Sequence, residues 1–166
     1  MKILTGDEFC LELKEKLIEG FALICIGSEL RSDDRVAIDL CKSLKISSNS
    51  KQFKILICEY GIENCIGDII ENNIKRMVLI DAAIINGLSP ATIVLLNMDE
   101  VQEYIPYSTH TLPLPLLLKL LIEELKDVEI VIVGIVVNKL DIGLELSPQI
   151  ENLISSLASC LSKELR

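Results

Sequence analysis

The chain has no tryptophan, a single histidine, and only three Phe and three Tyr. Its core must therefore be aliphatic, and Ile, Leu and Val supply most of the apolar half of the composition. Such residues suit buried parallel strands covered by helices. Positive charge is also scarce: 16 Lys and Arg stand against 25 Asp and Glu, a net charge of −9. A polyanion is repelled at long range by that balance, and no basic stripe with interleaved aromatics occurs, so nucleic-acid binding is not expected. No apolar run reaches the roughly 18 residues that a membrane span needs. No apolar segment follows Lys2, as a signal peptide requires. The expectation is a cytoplasmic protein with no membrane contact.

Several chemical motifs are absent as well. None of the six cysteines forms a C-x-x-C pair, and Cys25, Cys41 and Cys58 have apolar neighbours. They are expected to be reduced, buried and to act as small hydrophobes, because a disulfide framework goes with a secreted context that nothing here suggests. There is no H-E-x-x-H zinc motif and no G-x-S-x-G nucleophile elbow. The segment C-I-G-S-E-L-R-S-D-D has one glycine where a dinucleotide loop has three, and Asp33 and Asp34 would repel phosphate at that helix start.

What is present is an alternation of strand and helix patterns across 166 residues, a length that fits one domain. Thr5-x-x-Glu8 opens a first helix as a capping box, and Gly20 ends it. The continuous apolar run at 21–27 and the apolar-rich segments at 53–60, 77–81, 91–97 and 129–137 read as strands. Asp33-Asp34 opens a second helix with an apolar stripe at Val36, Ala37, Leu40, Cys41 and Leu44. The turn at Asn86-Gly87 is too short for a crossover helix, so the fourth strand is expected to pair antiparallel. Residues 99–107 read as a polar excursion. A Leu-rich helix follows Pro113 and Pro115, and Ser147-Pro148 starts the last amphipathic helix. The pattern predicts a three-layer α/β/α sandwich with a mostly parallel, five-stranded twisted sheet. It forms a single domain over residues 1–166, of which 1–20 are an N-terminal helical extension.

In such a sheet, ligands bind outside the carboxyl ends of the strands. The polar groups expected there are Glu29, Asp33 and Asp34 after the first run, Glu59 after the second, Asp81 after the third, and His110 in the loop before the Leu-rich helix. Each has a plain structural explanation: Asp caps turns and helix starts, and a lone His is commonly structural. Adjacent residues on a helix point roughly 100° apart, so one of Asp33 and Asp34 caps while the other faces the cleft. Spacing alone does not say which. A carboxylate ending the apolar M-V-L-I run needs a cationic partner. Two carboxylates and an imidazole form a mixed O/N set suited to zinc, nickel, iron or manganese, with open positions left over.

Three ordered motifs resemble the hydrogenase maturation proteases, the endopeptidases that process the large subunit of nickel–iron hydrogenases. Gly27-Ser28-Glu29-Leu30-Arg31-Ser32-Asp33-Asp34-Arg35 is similar to the family's G-N-x-L-x-x-D-D-G. Ile80-Asp81-Ala82, followed by Gly87-Leu88-Ser89-Pro90-Ala91, is similar to its I-D-A and G-x-x-P-G. Thr109-His110-Thr111-Leu112-Pro113-Leu114 is similar to its T-H-x-x-P-L. Ser28, Arg35 and Ala91 replace the family's Asn, Gly and Gly; Arg35 places a cation where it can pair with an acid. The resemblance implies an endopeptidase, aspartic-type or metal-assisted, that removes a C-terminal extension from the nickel-loaded large-subunit precursor. It implies Asp34, Asp81 and His110 as the catalytic and metal-contacting residues. Nickel is carried by the substrate and no cofactor is resident; the protein is expected to be a monomer. The alternatives are a resident-metal hydrolase of small substrates and a non-catalytic metal-sensing module.

Overall fold

The computed structural model describes residues 1–47, 52–105 and 112–165. Thr5 caps helix α1 (Gly6–Ile18) as its sequence dictates. Its hydroxyl accepts from Glu8 N–H at 3.2 Å, and the Glu8 carboxylate accepts from Thr5 N–H at 2.7 Å. The buried face of α1 is Phe9, Cys10, Leu13 and Leu17.

Six strands form one sheet: β1 (Lys2–Leu4), β2 (Ala22–Gly27), β3 (Ile55–Glu59), β4 (Arg76–Ala83), β5 (Ile93–Leu96) and β6 (Glu129–Val136), in the order β1-β5-β6-β4-β2-β3. The four strands β3, β2, β4 and β6 run parallel. β5 runs antiparallel to β6, as the short Asn86-Gly87 connection requires, and β1 antiparallel to β5. The expected five-stranded sheet therefore has a sixth strand. β1 is three residues long with one buried side chain, too short to show any period-two pattern in sequence.

The other helices are α2 (Val36–Ser47), α3 (Ile66–Glu71), α4 (Met98–Tyr104), α5 (Leu114–Leu125) and α6 (Pro148–Glu164). One sheet face carries a core with α1, α2 and α6; the other carries a core with α3, α4 and α5. β2 is buried at every position because both faces are covered. This is the expected three-layer sandwich. The polar excursion at 99–107 is helical as far as Tyr104: Asn97 and Glu100 form a second capping box, with bonds of 2.9 and 3.0 Å. Only Val101 of α4 is fully buried, so a helical apolar stripe was absent from the sequence. Among the described residues, no helix is long and apolar enough to cross a membrane.

The cysteines depart from expectation. They are largely buried, but they are paired: Cys10–Cys160, Cys25–Cys41 and Cys58–Cys65, with Cα separations of 6.4, 6.4 and 5.6 Å. These separations fall in the disulfide range. Pairing depends on which distant elements meet, and spacing along the chain does not encode that. Cys10–Cys160 joins α1 to α6, Cys25–Cys41 joins β2 to α2, and Cys58–Cys65 closes the loop after β3.

Candidate functional site

The carboxyl ends of β2, β3 and β4 open onto one edge of the sheet. Gly27 ends β2 in register with Glu59, which ends β3. Asp81 lies inside β4, in register with Gly134 of β6, because the strand continues to Ala83. Its side chain is 2% exposed, and its Oδ1 accepts the Ala82 N–H at 2.8 Å.

After Gly27 the chain turns back on itself. Ser28 Oγ accepts the Leu30 N–H at 3.3 Å, a local turn bond of the kind an Asn would make. Residues Ser32–Arg35 then form a single 3-10 turn before α2. Asp33 and Asp34 thus precede the α-helix rather than occupying its first turn. The turn packs against both β2 and β4.

The structure separates the two acids that spacing could not. Asp33 is fully buried and faces the start of α6. Its Oδ1 accepts the Ser147 N–H at 2.7 Å, and its Oδ2 accepts the Ser147 hydroxyl at 2.6 Å. Asp34 is also fully buried. In a 3-10 turn successive side chains diverge by about 120°, so with Asp33 committed to α6, Asp34 takes a different direction, in the turn that packs on β4.

The other candidates are held elsewhere. The Glu29 carboxylate pairs with Lys42, and that hydrogen bond lowers its pKa. Glu59 is half-buried, and its Oε1 lies 3.5 Å from the Glu29 N–H. Arg35 does pair with an acid, and that acid is Asp39. The guanidinium donates to both Asp39 oxygens at 2.7 and 3.2 Å and to the Leu144 carbonyl at 3.2 Å. These bonds to Asp39 raise the Arg35 pKa, so the side chain stays charged and tethered to α2. His110 lies outside the described residues. Among the described residues, no cluster of three metal-ligating side chains occurs.

Sequence reading missed the segment after β6. Residues 139–144 line the acid turn and bond to it: Asp33 N–H to Lys139 O at 3.0 Å, Ser32 N–H to Gly143 O at 2.9 Å, and Gly143 N–H to Leu30 O at 2.9 Å. Ser32, with φ at +49°, is held in that left-handed conformation from two sides, since its hydroxyl also donates to Asp141 O at 3.0 Å. The only advance signal was Gly143, where a Cβ would lie 2.9 Å from Ser32 Oγ.

Gly27 fixes the opposite side. A Cβ there would sit 2.0 Å from the Asp34 carbonyl oxygen, well inside contact distance. Gly27→Ala must push the Asp34 backbone away. It is expected to destabilise by about 1–3 kcal/mol, read as a lower melting temperature, and to displace Asp34 in a crystal structure of the variant. An unchanged melting temperature and an unmoved Asp34 would contradict this geometry.

A cleft of about 670 Å³ opens beyond the exit of β4, lined by Ile84, Ile85, Leu88, Glu103, Tyr104 and Leu140 among others. Ile84 N–H donates to Tyr104 O at 2.9 Å, which ties the end of α4 to the end of β4.

Comparison with known proteins agrees with this architecture. The fold is similar to the solution structure of an endopeptidase HycI from Escherichia coli (TM-score 0.71, 22% identity, 86% of this chain and 88% of that one). It is similar to the NiFe hydrogenase maturation protease HycI from Thermococcus kodakarensis KOD1 (TM-score 0.71, 22% identity, 93% and 98%). It is also similar to the NiFe hydrogenase maturation protease HybD from Thermococcus kodakarensis (TM-score 0.65, 26% identity, 88% and 99%). No curated protein matches the chain by sequence. The family model described as HycI, hydrogenase maturation protease, matches residues 40–164, a span that holds Asp81 and His110 and begins after Asp34. Three quarters of the chain lie within that match, and the chain belongs to the hydrogenase maturation protease family.

Proposed function

We propose that this protein is an endopeptidase that removes the C-terminal extension of a nickel-loaded hydrogenase large-subunit precursor, and that Asp34, Asp81 and His110 contact the nickel the substrate brings. The observation that carries this reading is the burial of two carboxylates, Asp34 and Asp81, on elements that touch at the carboxyl end of a parallel sheet. Carboxylates are costly to bury, and a divalent cation offsets that cost. A mixed carboxylate and imidazole set accepts nickel and leaves positions for the substrate's own ligands.

The motif resemblance supplies His110 as the third contact. It lies six residues beyond Tyr104, whose carbonyl is bonded at the exit of β4. The cleft beside Ile84 and Tyr104 adjoins the same strand end and has room for a peptide segment. With nickel as tether, the scissile bond is held beside the carboxylates, and recognition becomes positioning. A carboxylate then serves as general base toward water, or the metal polarises the carbonyl. The Arg35 cation does not oppose metal contact, because Asp39 and the Leu144 carbonyl hold it.

The test incubates the purified protein with nickel-loaded and nickel-free precursor from the same cell. Cleavage of the loaded form alone is expected, seen as a mass shift of the large subunit. Cleavage of neither form counts against the peptidase reading. Equal cleavage of both counts against nickel recognition. A stoichiometric metal that survives purification favours a resident-metal hydrolase instead.

A further inference from the structure

We infer that Asp33 is a positioning residue, which sets the place of Asp34 by clamping the acid turn to the start of α6 through Ser147. The inference rests on the proposed role of Asp34 and adds a residue to that site. Asp33 is fully buried, and both its oxygens are used by one partner, the backbone N–H and hydroxyl of Ser147, at 2.7 and 2.6 Å. Charge-assisted bonds of this length are the strong ones. Ser147 is the N-cap residue of α6, a 17-residue helix with Ile150, Leu157 and Leu161 buried in the core. The clamp therefore ties the turn to a rigid element.

Without it, the turn would keep fewer anchors. The bonds to residues 139–143 hold Leu30, Ser32 and the Asp33 amide. Gly27 meets the Asp34 carbonyl from the other side. The Ser32 hydroxyl and the Arg35 guanidinium bond to the carbonyls of Asp141 and Leu144, and the Asp33 side chain is the anchor, among these bonds, that ties the turn to α6. A 3-10 turn of four residues has little stability alone. A small rotation about its axis would redirect the Asp34 carboxylate. Asp33 acts through hydrogen bonds and not through its charge at the reacting atoms, which separates it from Asp34.

That distinction gives the test. Asparagine at 33 keeps both bonds: its oxygen accepts the Ser147 N–H, and its NH2 donates to the Ser147 hydroxyl. Alanine loses both. Ser147→Ala loses one and leaves the backbone bond. All three variants are assayed where circular dichroism shows them folded. Cleavage of the nickel-loaded precursor by Asp33→Ala is expected to slow by about 10²-fold, the scale for a misplacement of 1 Å, with the loss in kcat rather than KM. Asp33→Asn is expected to stay within about tenfold of wild type, since neutral bonds replace charge-assisted ones. Ser147→Ala is expected to fall between them.

Amide exchange of residues 32–35 provides a readout that needs no substrate. Protection is expected to drop in Asp33→Ala and to persist in Asp33→Asn. If Asp33→Asn is as inactive as Asp33→Ala while exchange stays protected, Asp33 acts through its charge and the inference is overturned. If Asp33→Ala cleaves and exchanges as wild type does, the clamp has no role. If the wild-type protein cleaves nothing, the peptidase reading fails, and the exchange comparison alone decides whether Asp33 fixes the turn.

Discussion

Asp34→Ala should abolish precursor cleavage in a protein that still folds. Asp34 is fully buried in a single 3-10 turn that packs on β4. Removing one buried carboxylate also costs the fold the bonds it makes, so activity is compared with that of wild type at a temperature where both are folded. The cost should appear in the chemistry: loss of a metal-contacting or general-base carboxylate is expected to slow cleavage at least about 10³-fold. Asp34→Asn keeps the shape and removes the charge, and is expected to lose activity to a similar degree. The measurements are the rate of large-subunit processing and the melting temperature, taken on the same preparations. A variant that unfolds at lower temperature and still cleaves at the wild-type rate would make Asp34 structural and leave the nickel contact without support.

The second large effect concerns the cysteines. Cys10 and Cys160 are 150 residues apart, so their bond closes almost the whole chain. On the loop-closure model, removing it costs about 5 kcal/mol, against about 3 for Cys25–Cys41 and about 2.5 for Cys58–Cys65. At this chain length, 5 kcal/mol corresponds to a fall in melting temperature of about 10–20 °C. Cys10→Ser with Cys160→Ser is expected to show that fall, and the other two paired replacements smaller ones. Thiol titration of the denatured protein should find none of the six cysteines free before reduction and all six after it. Six free thiols without reductant would contradict the pairing. Cys160 is half-buried while the other five are buried, so the bond between α1 and α6 is the one a soluble reductant reaches first.

Much of the architecture was legible because its signals are local. The capping box at Thr5 and Glu8, the apolar runs of β2 and β4, and the Leu spacing of α6 each declare an element within a few residues. The antiparallel turn at β5 followed from a connection too short for a helix. Weak local signals were lost. β1 is too short to show a period, and α4 buries one side chain. The family's glycine at position 91 also has a geometric reason, since Ala91 sits at φ +71°. Here alanine carries the left-handed strain that glycine would avoid.

The sequence alone determined the parallel strands and the long helices between them, the covered sheet, and the set of acids at its carboxyl edge. Periodicity and apolar runs are properties of neighbouring residues, and they survive in one dimension. Tertiary structure decided the rest: that Asp33 serves α6 while Asp34 stays in the turn on β4, that Arg35 belongs to Asp39, and that the six cysteines meet as three pairs. Those outcomes depend on partners that lie up to 150 residues away, and only packing of the sheet and helices brings them within bonding distance.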